Sequence, residues 1–249
     1  LFASAFNLLI GFTGLLSFGH AMFFGFAAYV AGHAAKVWGL TPELAVLCGT
    51  MSATVIGIFT GWLAVRRQGI YFAMVTLALA QMIYFLCVQA PFTYAEDGIQ
   101  GIGRGQLFGV IGLADDMWMY YFVLAVFLIG FVLIHRIVHS PFGQVLKSIR
   151  ENEARALSLG YHVDRYKLMA FVLSATIAGM AGATKALALG LATLTDVSWQ
   201  MSGEVVLMTL LGGMGTIVGP SVGAIIIVTM QNYLADLGSW VTTIMGATF

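Results

Sequence analysis

The sequence predicts an all-α polytopic membrane protein, on three observations. Of its 249 residues 60% are apolar and 9% are charged, where an ordinary soluble domain carries about 25% charged residues. Runs without Asp, Glu, Lys or Arg occupy residues 1–35, 44–65, 68–95, 117–135, 168–184 and 205–235, each near or above the roughly 20 residues a helix needs to cross about 30 Å of hydrocarbon. These runs are too long for strands and lack barrel-type alternation, so their backbone groups have to be satisfied within helices. Eleven basic and eleven acidic residues cancel, which leaves no charge excess for binding nucleic acid.

Taken in order, the first run is too long for one span and is interrupted at Gly11, Gly14 and Gly19. Lys36 and Glu43 mark the turn into a span over 44–65 that ends at Arg66 and Arg67. A span over 68–90 leads to a loop holding Glu96, Asp97, Asp115 and Asp116 against Arg104 alone. After the run at 117–135, the segment His135 to Lys167 carries six basic residues (Arg136, Lys147, Arg150, Arg155, Arg165, Lys167) against Glu151, Glu153 and Asp164. A span over 168–190 then precedes Asp196 and Glu204, expected near the outer boundary as surface groups or contacts to a partner. The positive-inside rule puts Arg66, Arg67 and the 135–167 segment in the cytoplasm and the acidic loops outside. The direction of each span agrees with that assignment, and the count is about eight crossings in a single domain, 1–249.

The last run is broken like the first, at Gly212, Gly213, Gly215, Gly219 and Pro220. Gly costs about 1 kcal/mol against Ala inside a helix and Pro about 3. Paired interrupted segments in two halves of a chain point either to an internal repeat with a translocation path or simply to the glycine-rich packing of membrane helices. The chain begins at Leu1 and stops just after an apolar run has begun, as a piece of a longer protein would.

No Gly-Lys pair, G-x-S-x-G, H-E-x-x-H or C-x-x-C occurs, so the motif chemistry of ATPases, hydrolases and zinc enzymes is missing. Any ATP that drives this chain is hydrolysed elsewhere. Cys48 and Cys87 sit in apolar runs as packing residues, and the five histidines include one i, i+4 pair, His135 and His139, without a third ligand for a metal. No cofactor is expected. Asn7, Thr13, Ser17, His20, Thr76 and Gln81 are polar groups within apolar runs. They either line a path or bond a neighbouring helix. Clustered intramembrane acids, which a proton- or sodium-coupled carrier or a membrane enzyme would need, are missing.

Residues 140–160 are the informative stretch. Their charges keep them in water, Ser140 and Pro141 suit a helix start, and Asn152 suits the cap of a second short helix that Gly160 ends. Phe142, Val145, Leu146 and Ile149 recur at helical spacing among charged residues. Such a helix either lies against its own bundle or lipid headgroups or docks into a groove of a cytoplasmic partner.

Residues 140–168, the stretch Asn7 to Gly25 and the stretch Gly212 to Pro220 together resemble the LivM-type permeases of branched-chain amino acid ABC importers. The resemblance covers essentially the whole chain. One departure is Ala27-Ala28-Tyr29, where that family usually has Gly-Ala-Tyr. The resemblance implies a type II-like importer fold of roughly ten helices in the full subunit, in a bacterial inner membrane. It also implies a second, LivH-like permease, two ATPase subunits below and a periplasmic binding protein above. Residues 137–167 then correspond to the coupling region, with Pro141, Phe142, Gly143, Leu146, Ile149, Arg150, Glu151, Asn152, Glu153 and Gly160 at its motif positions. In that picture Arg150, Glu151 and Glu153 orient docking by charge while Phe142 and Ile149 supply buried area. Cargo of related permeases extends from leucine-like and other amino acids to urea and short amides.

Overall fold

The computed structural model describes residues 1–67, 69–94, 97–107, 109 and 111–234. Glu96 and the end of the last apolar run lie outside the described residues. The helices are α1 (Phe2–Thr13), α2 (Ala21–Lys36), α3 (Pro42–Ala64), α4 (Ile70–Gln89), α5 (Asp116–His139), α6 (Pro141–Glu151), α7 (Glu153–Ser158), α8 (Val163–Leu189), α9 (Trp199–Gly212) and α10 (Gly219–Leu234).

Among the described residues, α3, α4, α5 and α8 are long and apolar enough to cross a membrane. These four long helices do not confirm the expected count of about eight crossings. The other helices of the two broken runs are short: α1, α2, α9 and α10 run for 12, 16, 14 and 16 residues, roughly 18–24 Å at 1.5 Å per residue. Of the expected breaks, Gly14, Gly19, Gly213 and Gly215 fall between helices, whereas Gly11, Gly212, Gly219 and Pro220 lie within them. The connection between α1 and α2 passes beside the middle of α4, where a Cβ on Gly19 would lie 3.3 Å from the Ala80 methyl.

One end of the bundle collects most of the basic residues, with α6, α7 and the foot of α8. The opposite end carries the acidic loops and two small antiparallel ribbons. One pairs β1 (Ile99–Gln100) with β4 (Leu191–Ala192), and the other pairs β2 (Gln106–Leu107) with β3 (Ile111–Gly112). Lys36 at the end of α2 donates to the Gln100 carbonyl at 2.7 Å, which fixes the first ribbon over the helix ends. Asp115 caps α5 by accepting from the Met117 amide.

The core is built on α1, α2, α3 and α8 and holds Phe6, Phe23, Tyr29 and Phe171 among its fully buried side chains. Lipid tails are as apolar as the helices themselves, so close backbone approach takes over from water exclusion as the force that gathers them. Gly49 shows this: a Cβ there would lie 2.6 Å from the Ala27 carbonyl oxygen and 2.8 Å from the Ala183 methyl, a backbone and a helix with no room to give. Gly49→Val is expected to destabilise the bundle by about 1–3 kcal/mol, read as a lower melting temperature in detergent. Gly103→Val, with open space around it, is the neutral control. Outward, α3 and α5 expose large apolar side chains such as Met51, Val55, Phe59, Ile129 and Val132, the surface that lipid or another apolar partner covers.

Candidate functional site: a helix-break junction held by the water-facing hairpin

The α6–α7 hairpin forms from local signals. Ser140 accepts from the Gly143 amide at 3.3 Å with Pro141 at the first helical position, and Asn152 accepts from the Arg155 amide at 3.0 Å to start α7. Gly160 follows α7 with φ 86°, a left-handed conformation that a side chain would strain. Gly143 is forced by crowding, since a Cβ there would meet the Ile137 and Val138 carbonyls.

The apolar side of α6 faces the chain itself. Leu146 is fully buried, Ile149 is 3% exposed and packs with Ala156 and Val163, and the Phe142 ring stacks on Tyr166 at 5.6 Å. The buried area expected toward a partner is thus spent internally for Ile149 and in part for Phe142, because the hairpin folds back onto the foot of α8. Lys167, buried on α8, pairs with Glu153 at 2.7 Å and locks α7 down. The exposed residues of the hairpin include Pro141, Arg150, Glu151, Asn152, Arg155, Leu157 and Leu159.

Arg150, although exposed on α6, also turns back to the chain itself. Its guanidinium donates to the Gly11 carbonyl. That carbonyl belongs to the last turn of α1, where helix oxygens lack intrahelical partners and the dipole is negative. The turn after it is consumed differently: Gly14 adopts φ 76°, and the amides of Gly14 and Leu15 both return to the Leu9 carbonyl. A cation beside Gly11 satisfies what the backbone leaves over. The Arg150 charge expected to orient a partner also bonds a helix end in the same chain. Arg150, Glu153, Lys167, Thr13 and Gly14 line a cleft of about 200 Å³ at this place.

The second break meets the first here. Asn7 on α1 donates to the Thr216 carbonyl at 2.7 Å and accepts from the Gly215 amide at 3.0 Å, so one carboxamide reads both a donor and an acceptor of the α9–α10 turn. Gly213 and Gly215 hold φ 93° and 80° in that turn, and a Cβ on Gly11 would lie 2.6 Å from the Gly215 nitrogen. Gly212 lies so close to Gly219 and Pro220 that a Cβ there would fall 2.9 Å from the Pro220 nitrogen. The sequence placed Arg150 and the two sets of breaks in different parts of the chain; the fold brings Gly11, Gly215 and Arg150 to one point.

Four of the other five polar groups considered for a path are bonded internally. Thr13 donates to the Leu8 carbonyl, Thr76 to the Ala73 carbonyl, and Ser17 accepts from the Gly19 amide. His20 lies fully buried against Phe6 and Phe23, its Nε2 2.8 Å from the Ser174 hydroxyl, which donates to the Ala5 carbonyl. Only Gln81 of the six is less than fully buried. Asp196 is corrected outright. It is 4% exposed, pairs with Lys185 and accepts from Thr193, so it is not a surface group. Lys185 escaped sequence reasoning because it stands alone at the end of an apolar run, while its partner follows a ribbon strand. Glu204 accepts from the Gln231 amide at 3.1 Å, joining α9 to α10.

A family model described as branched-chain amino acid transport system / permease component matches residues 1–249. The high-affinity branched-chain amino acid transport system permease protein LivM of Escherichia coli is 26% identical over 96% of this chain and 62% of its own length. The ribose import permease protein RbsC of Bacillus subtilis is 32% identical over 85% of this chain and 66% of that protein. A probable branched-chain amino acid transport permease protein LivH of Methanocaldococcus jannaschii is 24% identical over 86% and 70%. The chain thus spans about 62% of the length of the LivM relatives. No solved structure matches it.

Proposed function

The chain belongs to the branched-chain amino acid transport permease family, and from that premise we propose that it is a permease subunit of an ATP-driven ABC importer in a bacterial inner membrane. Its cargo on this reading is a branched-chain or other amino acid. It pairs with a second, LivH-like permease above two ATPase subunits and receives solute from a periplasmic binding protein. The α6–α7 hairpin is the coupling element. Its docking surface is the exposed side, with Leu157 and Leu159 as apolar contacts 56% and 68% exposed, and Glu151 and Arg155 as the charged rim.

The observation that carries this reading is Arg150 on Gly11. A docking helix transmits force only if it is bonded to something that has two arrangements. Here it is bonded to the junction of two helix breaks. ATPase closure would shift α6, Arg150 would carry the α1 break with it, and Asn7 would pass the displacement to the α9–α10 turn. Nucleotide drives the change only by favouring one arrangement over the other.

The test is uptake in proteoliposomes containing both permeases and the ATPases, with loaded binding protein outside and ATP inside. ATP-dependent accumulation of L-leucine or a related amino acid is the expected result. Accumulation driven by an ion gradient without the ATPases would contradict it. Preference for urea or a short amide would keep the importer and change the cargo. The similarity to RbsC supports ribose as a second reading of the cargo, distinguished by the same assay.

A further inference from the structure

Opposite the hairpin, at the acidic end, α4, α9, α10 and the short turn at Leu194–Asp196 line an open cavity of about 620 Å³, within the size range of small-molecule sites. It lies below the helix ends: Glu204 is five residues into α9 and Tyr84 five residues short of the end of α4, a depth of roughly 7.5 Å. An ionised side chain at such depth in a membrane protein is costly unless something uses it.

Two carboxylates line the cavity, and they differ in kind. Asp196 is neutralised by Lys185 and held by the Thr193 amide and hydroxyl. Glu204 is half-buried, and its hydrogen-bond partner among the described residues is the neutral amide of Gln231. The Gln231 contact orients the carboxylate and leaves its charge unbalanced. Leu194 and Met201 give the same cavity an apolar wall, beside the polar groups of Tyr84 and Ser198. Behind it, the Tyr29 hydroxyl is fully buried without a hydrogen-bond partner among the described residues and lies within electrostatic reach of Asp196 and Tyr84.

We propose that this cavity is a solute subsite at the outer end of the path, in which the Glu204 carboxylate, oriented by Gln231, receives the ammonium of an incoming aliphatic amine or amino acid while Leu194 and Met201 cover its side chain. A charge-assisted hydrogen bond to an ammonium restores the balance that Gln231 does not supply. A neutral sugar or amide offers no such compensation. As regards cargo, the inference rests on the amino acid reading above, although the cation site itself does not.

The test uses the assembled complex in nanodiscs carrying Gln200→Cys at the rim, labelled with a membrane-impermeant maleimide and corrected for the unsubstituted protein. Probes are L-leucine, 3-methylbutylamine and 4-methylpentanoate, which share a branched aliphatic tail and differ in the ammonium. At about twice the dissociation constant, L-leucine and the amine should each slow labelling roughly threefold, and the carboxylate should not. Glu204→Gln should abolish the protection and Glu204→Asp retain part of it. If Glu204→Gln fails to assemble, the comparison of probes on Gln200→Cys alone decides. Equal protection by 4-methylpentanoate, protection surviving in Glu204→Gln, or no protection by either amine in a complex that drives leucine uptake would overturn the subsite. Protection by the amine alone, in a complex that does not transport leucine, would keep the subsite and remove the amino acid reading.

Discussion

Arg150→Ala is expected to leave ATP hydrolysis by the assembled importer running while uptake falls by between about 5-fold and 150-fold, the range that a coupling free energy of 1–3 kcal/mol spans. The guanidinium is the hydrogen-bonded link, among the described residues, from α6 to the last turn of α1, through the Gly11 carbonyl. Alanine removes it without touching Leu146 and Ile149, which anchor α6 by burial. The hairpin should therefore stay folded and docked, and motion should no longer reach the junction. Arg150→Lys keeps a cation near the helix end and should fall between. Loss of ATPase stimulation in parallel with uptake would instead make Arg150 a docking residue, and unchanged uptake would remove it from coupling altogether.

Glu153→Ala should have the largest effect on the hairpin itself. It strands the Lys167 ammonium, whose side chain is 5% exposed, and removing one partner of such a pair costs about 3–5 kcal/mol. The expected result is faster trypsin cleavage after Arg155 and a lower melting temperature. The double replacement Glu153→Ala with Lys167→Met removes the stranded charge and should recover most of the loss. Recovery shows that the pair acts as a lock; equal damage in single and double variants would show that Glu153 works through other contacts.

The hairpin was legible in the sequence because its determinants are local. Ser140, Pro141, Asn152 and Gly160 act within a turn of where they stand, and the structure has each helix start and stop that they imply. The membrane class was legible because apolar length is a property of a run. Which way the apolar side of α6 faces was not, since periodicity states that a face needs cover without stating what covers it. The same holds for the breaks. Gly11 and Gly215 each read as an interruption, but their contact depends on Asn7 meeting Thr216 across 209 positions. The number of crossings was not legible for the same reason: a hydrophobic run has no mark for where α1 stops and α2 resumes beyond its glycines. Asp196 was misplaced at the surface because Lys185, its partner, belongs to a helix that otherwise reads as a plain span.

The central claim is that the exposed side of residues 140–160 lies in the cytoplasm and holds an ATPase. Leu159→Cys in the assembled complex tests it most directly, through a bifunctional thiol cross-linker and an impermeant maleimide applied in turn to either side of the membrane. The account predicts labelling from the cytoplasmic side only and a cross-link to an ATPase subunit. Labelling from the periplasmic side, or no cross-link in a complex active in ATP-driven uptake, would contradict it.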